Sequence, residues 1–248
     1  MSLSRFHLPA SQWQPDQLTL TGDEAAHCAR VLRKDVGDVI EVFDGQGRVA
    51  TATITSLSKS AVKARVDSLV HHESRRQEIH LLPAMIKAEP FEWLLEKATE
   101  LGAASVLPVI TARTIVHLSG DHLEKKLHKW QRHMIESAKQ CHTPWVPVLE
   151  RPRAFTDLLS RLPAETTRLI PALSEHSRRL HEITFSAAQP IFILIGPEGD
   201  FTADEEAAAQ EAAFQPITLG PLILRAETAA IATLAMVGHE VARQKVCC

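Results

Sequence analysis

Two stretches near the C-terminus decide the reading of the fold. The first is Leu194-Ile195-Gly196-Pro197-Glu198-Gly199-Asp200-Phe201-Thr202. The second is Leu219-Gly220-Pro221-Leu222-Ile223-Leu224-Arg225-Ala226-Glu227-Thr228-Ala229. Each follows a short apolar run and precedes a helical pattern, which is the grammar of a strand-to-helix turn. Such turns expose backbone amides and carbonyls beyond the carboxyl ends of strands, where open α/β sheets bind ligands. Two of them imply one pocket built from adjacent strands. Neither is Gly-x-Gly-x-x-Gly or a Walker loop, so an ordinary dinucleotide or P-loop site is disfavoured. Pro197 and Pro221 stiffen the turns while Gly196, Gly199 and Gly220 let backbone approach a heterocycle edge-on. The plainer alternative is that these glycines only end strands tightly.

Outward from these turns the pattern alternates. Ile191–Ile195 is apolar at every position, as a strand covered on both faces should be. Thr202-Ala203-Asp204-Glu205 is a capping box that starts a helix. Further strands are expected at Ile79–Ile86, Val106–Ile110, Leu169–Leu173 and Ile217–Leu219. Helices are expected from Pro90, with Phe91, Leu94, Leu95, Ala98 and Leu101 on one face and Gly102 at the stop. Two more should cover Asp121–Gln140 and Glu227 to about Arg243. In the second, Leu123, Leu127, Trp130 and Met134 should be buried. This alternation implies a largely parallel sheet with helices outside.

Residues 1–72 read differently. Asp38–Phe43, Val49–Thr55 and Val62–Val66 read as strands, Asp44-Gly45-Gln46-Gly47 as a turn, and Asp23–Arg33 as a short helix. The polar run from His71 to Glu78 is the expected boundary, giving a β-rich module over 1–72 and an α/β domain over 73–248.

The 248 residues are 45% apolar, enough for one large or two modest cores. No signal peptide or long apolar span is evident, which points to a soluble, cytoplasmic protein without membrane contact. The four cysteines (Cys28, Cys141, Cys247, Cys248) lack metal-ligand spacing and read as reduced thiols. Thirteen scattered histidines form no metal motif, so no metal is expected. Net charge is −3, yet between Arg113 and Arg153 eight Lys or Arg stand against four acids. That run is either a solvated helix face or a nucleic-acid contact.

"LIGPEGDF" and "LGPLILRAETA" resemble the signature turns of the RsmE family, SPOUT-class methyltransferases dependent on S-adenosylmethionine that act on a uridine N3 of small-subunit (16S) ribosomal RNA. "HCARVLRKDVGDVIEVFDGQG", "EKATELGAASVLPVITART" and "KLHKWQRHMIESAKQC" are similar to its other segments, so the resemblance covers nearly the whole chain. It implies a PUA-like β-barrel preceding a knotted, mostly parallel sheet with helices on both faces, and a homodimer. The cofactor loops would be Ala172 to Glu175, Gly196 to Gly199 and Leu219 to Arg225. Cofactor contacts would come from Leu173, Glu175, Ile195, Gly196, Glu198, Gly199, Leu219, Gly220, Leu224 and Thr228.

Arg225 would be catalytic, donating to the uracil oxygens, unless it is instead tied to Glu198 or Glu227. Arg113, Lys125, Lys129 and Arg132 would touch RNA. Ile231, Leu234, Ala235 and Val241 would form the dimer stripe, unless they face the chain's own core. The chain departs from the family pattern at Asp200, where Gly is usual, at Lys139, where an acid is usual, and at Thr143 or Trp145, where an Arg is expected. Lys87 and Pro90 are also unusual. The competing readings are a non-catalytic RNA-binding or ribosome-assembly protein, a methyltransferase with another RNA target, and an α/β enzyme acting on a small nucleotide.

Overall fold

The computed structural model describes residues 3–58, 60–73, 78–116, 119–186 and 189–246. The chain divides into two compact units, Met1–Ser74 with Ala138–Val146, and Arg75–Ser137 with Pro147–Cys248.

The first unit holds β1 (Ser4–His7), β2 (Gln17–Thr21), α1 (Gly22–Ala26), β3 (Val39–Phe43), β4 (Arg48–Leu57) and β5 (Ala61–His71). They form one sheet in the order β1-β3-β4-β5-β2, antiparallel except where β1 runs parallel to β3. Alternation puts one face of every strand into a shared core. Phe6, Leu18, Leu20, Ile40, Ala52, Ile54 and Val62 are buried there with Ala25 and Cys28. Each large side chain contributes roughly 1.5–3 kcal/mol of burial.

The Asp44 turn forms for a local reason. Its Oδ1 accepts the N–H groups of Gln46 (2.7 Å) and Arg48 (2.9 Å), and Gly45 and Gly47 take positive φ. The helix expected over Asp23–Arg33 is shorter. It loosens into a π-turn over His27–Val31 and ends before Arg33, whose φ is 49°. β5 runs on to His71, paired with Arg48, so the polar run begins inside a strand. Residues 74–77 of that run, and Cys247 and Cys248, lie outside the described residues. Cys28 and Cys141 are free thiols.

Segment 138–146 belongs with this unit. Trp145 lies over Gly47, and Val146 donates its N–H to the Gly45 carbonyl at 3.0 Å. Lys139 is bonded to Glu24. Lys139, a departure from the pattern the resemblance implies, is thus paired with a carboxylate.

The second unit contains β6 (Ile79–Pro83), α2 (Ala88–Glu100), β7 (Ser105–Val106), β8 (Val109–Ile110), α3 (Gly120–Gln140, its last residues in the first unit), β9 (Val148–Leu149), β10 (Arg153–Ala154), α4 (Phe155–Arg161), β11 (Thr167–Pro171), β12 (Ile191–Ile195), α5 (Ala203–Glu211), β13 (Gln215–Ile217) and α6 (Ala226–Val246). Six strands make an all-parallel sheet in the order β13-β11-β12-β6-β7-β9. Helices lie on both faces. Leu194 and Phe192 pack with α4 and α5 through Leu158, Ala209 and Phe214, while α6 covers β12 and β6 and meets α2.

Several expected elements shift. The run Val106–Ile110 is two short strands, because Pro108 has no N–H to continue a ladder and Val109 turns to pair with β10. The strand expected at Ile217–Leu219 is Gln215–Ile217, and that at Leu169–Leu173 ends at Pro171, leaving Leu173 exposed. Pro90 sits in the first turn of α2, where its missing N–H is not needed. Gly102, at φ 73°, closes that helix with Ala103 N–H on the Ala98 carbonyl (2.9 Å). Leu101 caps the end and is 38% exposed rather than buried. In α3, Trp130 and Met134 are buried and Trp130 meets Phe91 at 4.7 Å, whereas Leu123 and Leu127 are only half-buried.

Candidate active site

The sheet order separates the two diagnostic turns. β11 lies between β12 and β13, so the turns do not follow adjacent strands as expected. The loop after β11 fills the gap. Ala172, Leu173, Ser174 and Glu175 line a cleft of about 570 Å³ together with Arg179, Thr218, Gly220 and Pro221. On its other side, Gly220 also borders a cleft of about 540 Å³ lined by Leu219, His181, Met236 and His239, among others.

Gly220 is central for a backbone reason. Its φ is +111°, no atom lies within 4 Å of where a Cβ would stand, and its N–H donates to Thr218 Oγ1 at 3.1 Å. Only glycine holds that conformation without strain. The bare backbone therefore faces open space.

Of the expected cofactor residues, Leu173, Glu175, Leu219 and Gly220 line these clefts. Ile195, Gly196, Glu198, Gly199, Leu224 and Thr228 line neither. Ile195 is buried at the end of β12, its carbonyl accepting Ala84 N–H at 2.8 Å. Gly196 is constrained by Asp200 and Phe201: a Cβ there would come within 3.2 Å of the Phe201 ring and 3.3 Å of Asp200 Oδ1. Phe201 in turn packs on Phe155 at 5.6 Å. The capping box is present, with Glu205 N–H on Thr202 Oγ1 (3.3 Å) and Thr202 N–H on Glu205 Oε2 (3.0 Å).

Arg225 is exposed just ahead of α6. Among the described residues its guanidinium pairs with neither Glu198 nor Glu227, so the structure gives it no salt-bridge role. Arg113 is exposed and engaged, donating Nη1 to the carbonyls of Gly199 (2.5 Å) and Phe201 (3.2 Å).

On α3, Lys125, Lys129 and Arg132 are exposed as expected. Lys129 is nonetheless bonded to both oxygens of Glu92 (2.7 and 2.9 Å), and Arg151 to Glu124. The basic run is thus less cationic than its sequence sum. Leu234 and Val241 are buried in the chain's own core, while Ala235 is exposed and Ile231 half-buried, so the four do not form a common outward stripe.

Arg179, Thr218, His181 and His239 were not singled out from sequence. Thr218 stands immediately before the second turn, and its hydroxyl on Gly220 N–H is the one local signal that could have flagged it. Arg179 enters the cleft through a 3-10 turn over Leu180–Glu182, which carries no periodic signature.

An S-adenosylmethionine molecule fits the chemistry of the cleft lined by Glu175. Its volume lies inside the range of about 300–1,000 Å³ usual for small-molecule pockets. It combines open glycine backbone with the Glu175 carboxylate and the Ser174 hydroxyl, suited to a ligand with amine and ribose groups.

Comparison with known proteins agrees with this arrangement. Residues 72–238 match an RNA methyltransferase domain and residues 20–67 an RNA methyltransferase PUA domain. The chain is 27% identical over 249 residues to the ribosomal RNA small subunit methyltransferase E of Bacillus subtilis, covering 96% of this chain and 97% of that one. It is 31% identical to the Synechocystis protein of the same name, covering 89% and 72%. Among solved structures, the Neisseria gonorrhoeae methyltransferase E bound to S-adenosylmethionine superposes with a TM-score of 0.86 at 30% identity, covering 96% of this chain and 98% of that one. A Legionella pneumophila methyltransferase, also with bound S-adenosylmethionine, gives 0.88 at 29% identity with the same coverage.

Proposed function

The chain belongs to the RNA methyltransferase family with a PUA domain, and from that membership we infer that it methylates small-subunit ribosomal RNA, with S-adenosylmethionine as donor and a uridine N3 as acceptor. The cleft between the loops after β11 and β13 carries this reading, since it puts unhindered glycine backbone beside a carboxylate at the carboxyl ends of parallel strands.

Bound S-adenosylmethionine supplies an electrophilic methyl group on a sulfonium. Glu175, the Gly220 backbone and the loop from Ala172 would hold its polar ends. The Gly196 to Gly199 turn, with Ile195, Leu224 and Thr228, lies outside both clefts and would add contacts only if the seated ligand extends toward it. The acceptor base leaves its stack to reach this pocket, at a cost of a few kcal/mol. Negative charge would grow on the uracil oxygens as the N3 proton passes to solvent water, and the N3 lone pair would then take the methyl as its bond to sulfur breaks, leaving a neutral thioether. Arg225, exposed and unpaired with Glu198 or Glu227, donates to those oxygens and stabilises the charge as it forms. Lys125, Lys129 and Arg132 meet the RNA backbone.

The enzyme acts as a homodimer in this reading. Leu222 (73% exposed), Ile223 (88%) and Met236 (41%) offer the apolar surface that the buried Leu234 and Val241 do not. No helix among the described residues is long and apolar enough to cross a membrane, which accords with work on ribosomal RNA in the cytoplasm.

The test is methyl transfer from labelled S-adenosylmethionine to small-subunit ribosomal RNA, followed by mass mapping of the product. One 3-methyluridine is expected. Cofactor binding without transfer would favour the non-catalytic reading, and methyl on another atom would replace the acceptor. Arg225→Ala should lower the single-turnover rate by about 10²-fold with cofactor affinity and melting temperature held, and Arg225→Lys should recover part of it. A stable Ala variant with an undiminished rate removes Arg225 from catalysis. Sedimentation at micromolar concentration tests the dimer, and a fully active monomer excludes it.

A further inference from the structure

Two side chains lock the loop after β8 onto the turn after β12. Arg113 Nη1 donates to both Gly199 O and Phe201 O. Glu205 works from the other side. Its Oε1 accepts Ala112 N–H at 2.7 Å while its Oε2 accepts Thr202 N–H at 3.0 Å. The loop itself is held by Thr114 Oγ1, which accepts Thr111 N–H at 2.9 Å with both residues buried.

Asp200 lies between the two carbonyls that share Arg113. Its φ is 62°, a left-handed conformation strained for any residue with a Cβ. Asp200 offsets part of that strain locally, since its Oδ1 accepts Phe201 N–H at 2.8 Å and its own N–H donates to Pro197 O at 3.0 Å. Arg113 Nη1 donates to the carbonyls of the residues on either side of Asp200. A Cβ on Gly199 would stand 3.4 Å from Arg113 Cδ, an ordinary packing distance, so the Arg113 stem lies directly against the turn.

We propose that Arg113 is a positioning residue for cofactor binding: it clamps the Gly196 to Phe201 turn and makes a left-handed Asp200 tolerable where glycine would need no clamp. The proposal rests on the S-adenosylmethionine reading above and assigns Arg113 to the turn rather than to RNA.

The experiment compares wild type, Arg113→Ala, Arg113→Lys, Asp200→Gly and the Arg113→Ala/Asp200→Gly double variant, all as full chains. Amide exchange is measured at Asp200 and Phe201 without cofactor, then calorimetry with S-adenosylmethionine and steady-state kinetics are run on the same proteins. Arg113→Ala should raise Kd and KM for S-adenosylmethionine about tenfold, the scale of one charge-assisted hydrogen bond at an exposed site. It should speed exchange at Asp200 and Phe201 by a similar factor. The loss should fall on KM rather than kcat, RNA affinity should hold, and adding Asp200→Gly should restore most of the cofactor affinity. Arg113→Lys should recover part, and it carries the comparison if the Ala variant does not fold.

Wild-type exchange rates and cofactor affinity in Arg113→Ala overturn the clamp, as does a loss confined to RNA affinity. If wild type itself does not bind S-adenosylmethionine, the cofactor reading fails, and the exchange comparison still decides whether Arg113 holds the turn.

Discussion

Gly220 separates backbone strain from ligand space, because its surroundings are empty. At φ +111° an L side chain costs about 1–3 kcal/mol whatever space surrounds it, a β-branched one the most. No atom lies within 4 Å of the missing Cβ, so Gly220→Ala meets no neighbour in the cofactor-free protein. Gly220→Ala and Gly220→Val should therefore both lose stability, Val more than Ala because of its β-branch, and Ala should melt roughly 2–12 °C below wild type at about 2–4 °C per kcal/mol. Cofactor affinity should divide them. Both clefts share Gly220, so the valine methyl groups would enter ligand space that the alanine methyl only borders. Overpacking of that kind costs about 1–3 kcal/mol, making Val weaker than Ala by roughly 10- to 100-fold. Differential scanning calorimetry gives the first quantity and titration with S-adenosylmethionine the second. A folded Gly220→Val that binds with wild-type affinity refutes the placement of the cofactor at this turn. Equal loss of affinity in both variants would show that the turn's conformation matters and the space does not.

Gly47→Ala should destabilise the N-terminal unit by about 2–4 kcal/mol in denaturant titration, because a Cβ would stand 2.5 Å from the Trp145 ring and 2.9 Å from the His72 carbonyl at a positive φ. A wild-type midpoint would mean Trp145 yields at no cost. His80 is half-buried, stacked on Phe192 with Nδ1 on Ser105 Oγ at 2.8 Å, and desolvation lowers its pKa below the ordinary 6.5 despite the opposing Glu78 and Glu150. The unfolded chain then takes up the proton more readily, so this stability is fully present above about pH 6.5 and declines as pH falls toward the folded-state value. His80→Gln should flatten that decline, and parallel stability profiles from pH 5 to 7.5 would contradict it. Replacing Lys125, Lys129 and Arg132 together by Ala should weaken RNA binding and flatten its salt dependence by less than three full charges, since Lys129 is already held by Glu92. An unaltered salt slope would make the face merely solvated.

Local chemistry made much of this protein legible. β12 announced itself because a strand buried on both faces must be apolar throughout, and its observed bounds are Ile191–Ile195. The Asp44 turn, the Gly102 stop and the Thr202–Glu205 capping box were readable because each satisfies backbone groups within a few residues of itself. The resemblance of two short motifs carried the family and the cofactor class. What tertiary structure alone decided is non-local. Nothing in the pattern of β12 or β13 says that β11 lies between them, because hydrophobic alternation marks a strand's faces and leaves its neighbours open. Leu234 and Val241 look equally suited to a partner or to their own core, and packing chose the core. Arg113 reads as one more cation in a basic run. Only the approach of Gly199 and Phe201, 86 and 88 residues away, turns it into the donor that two carbonyls share.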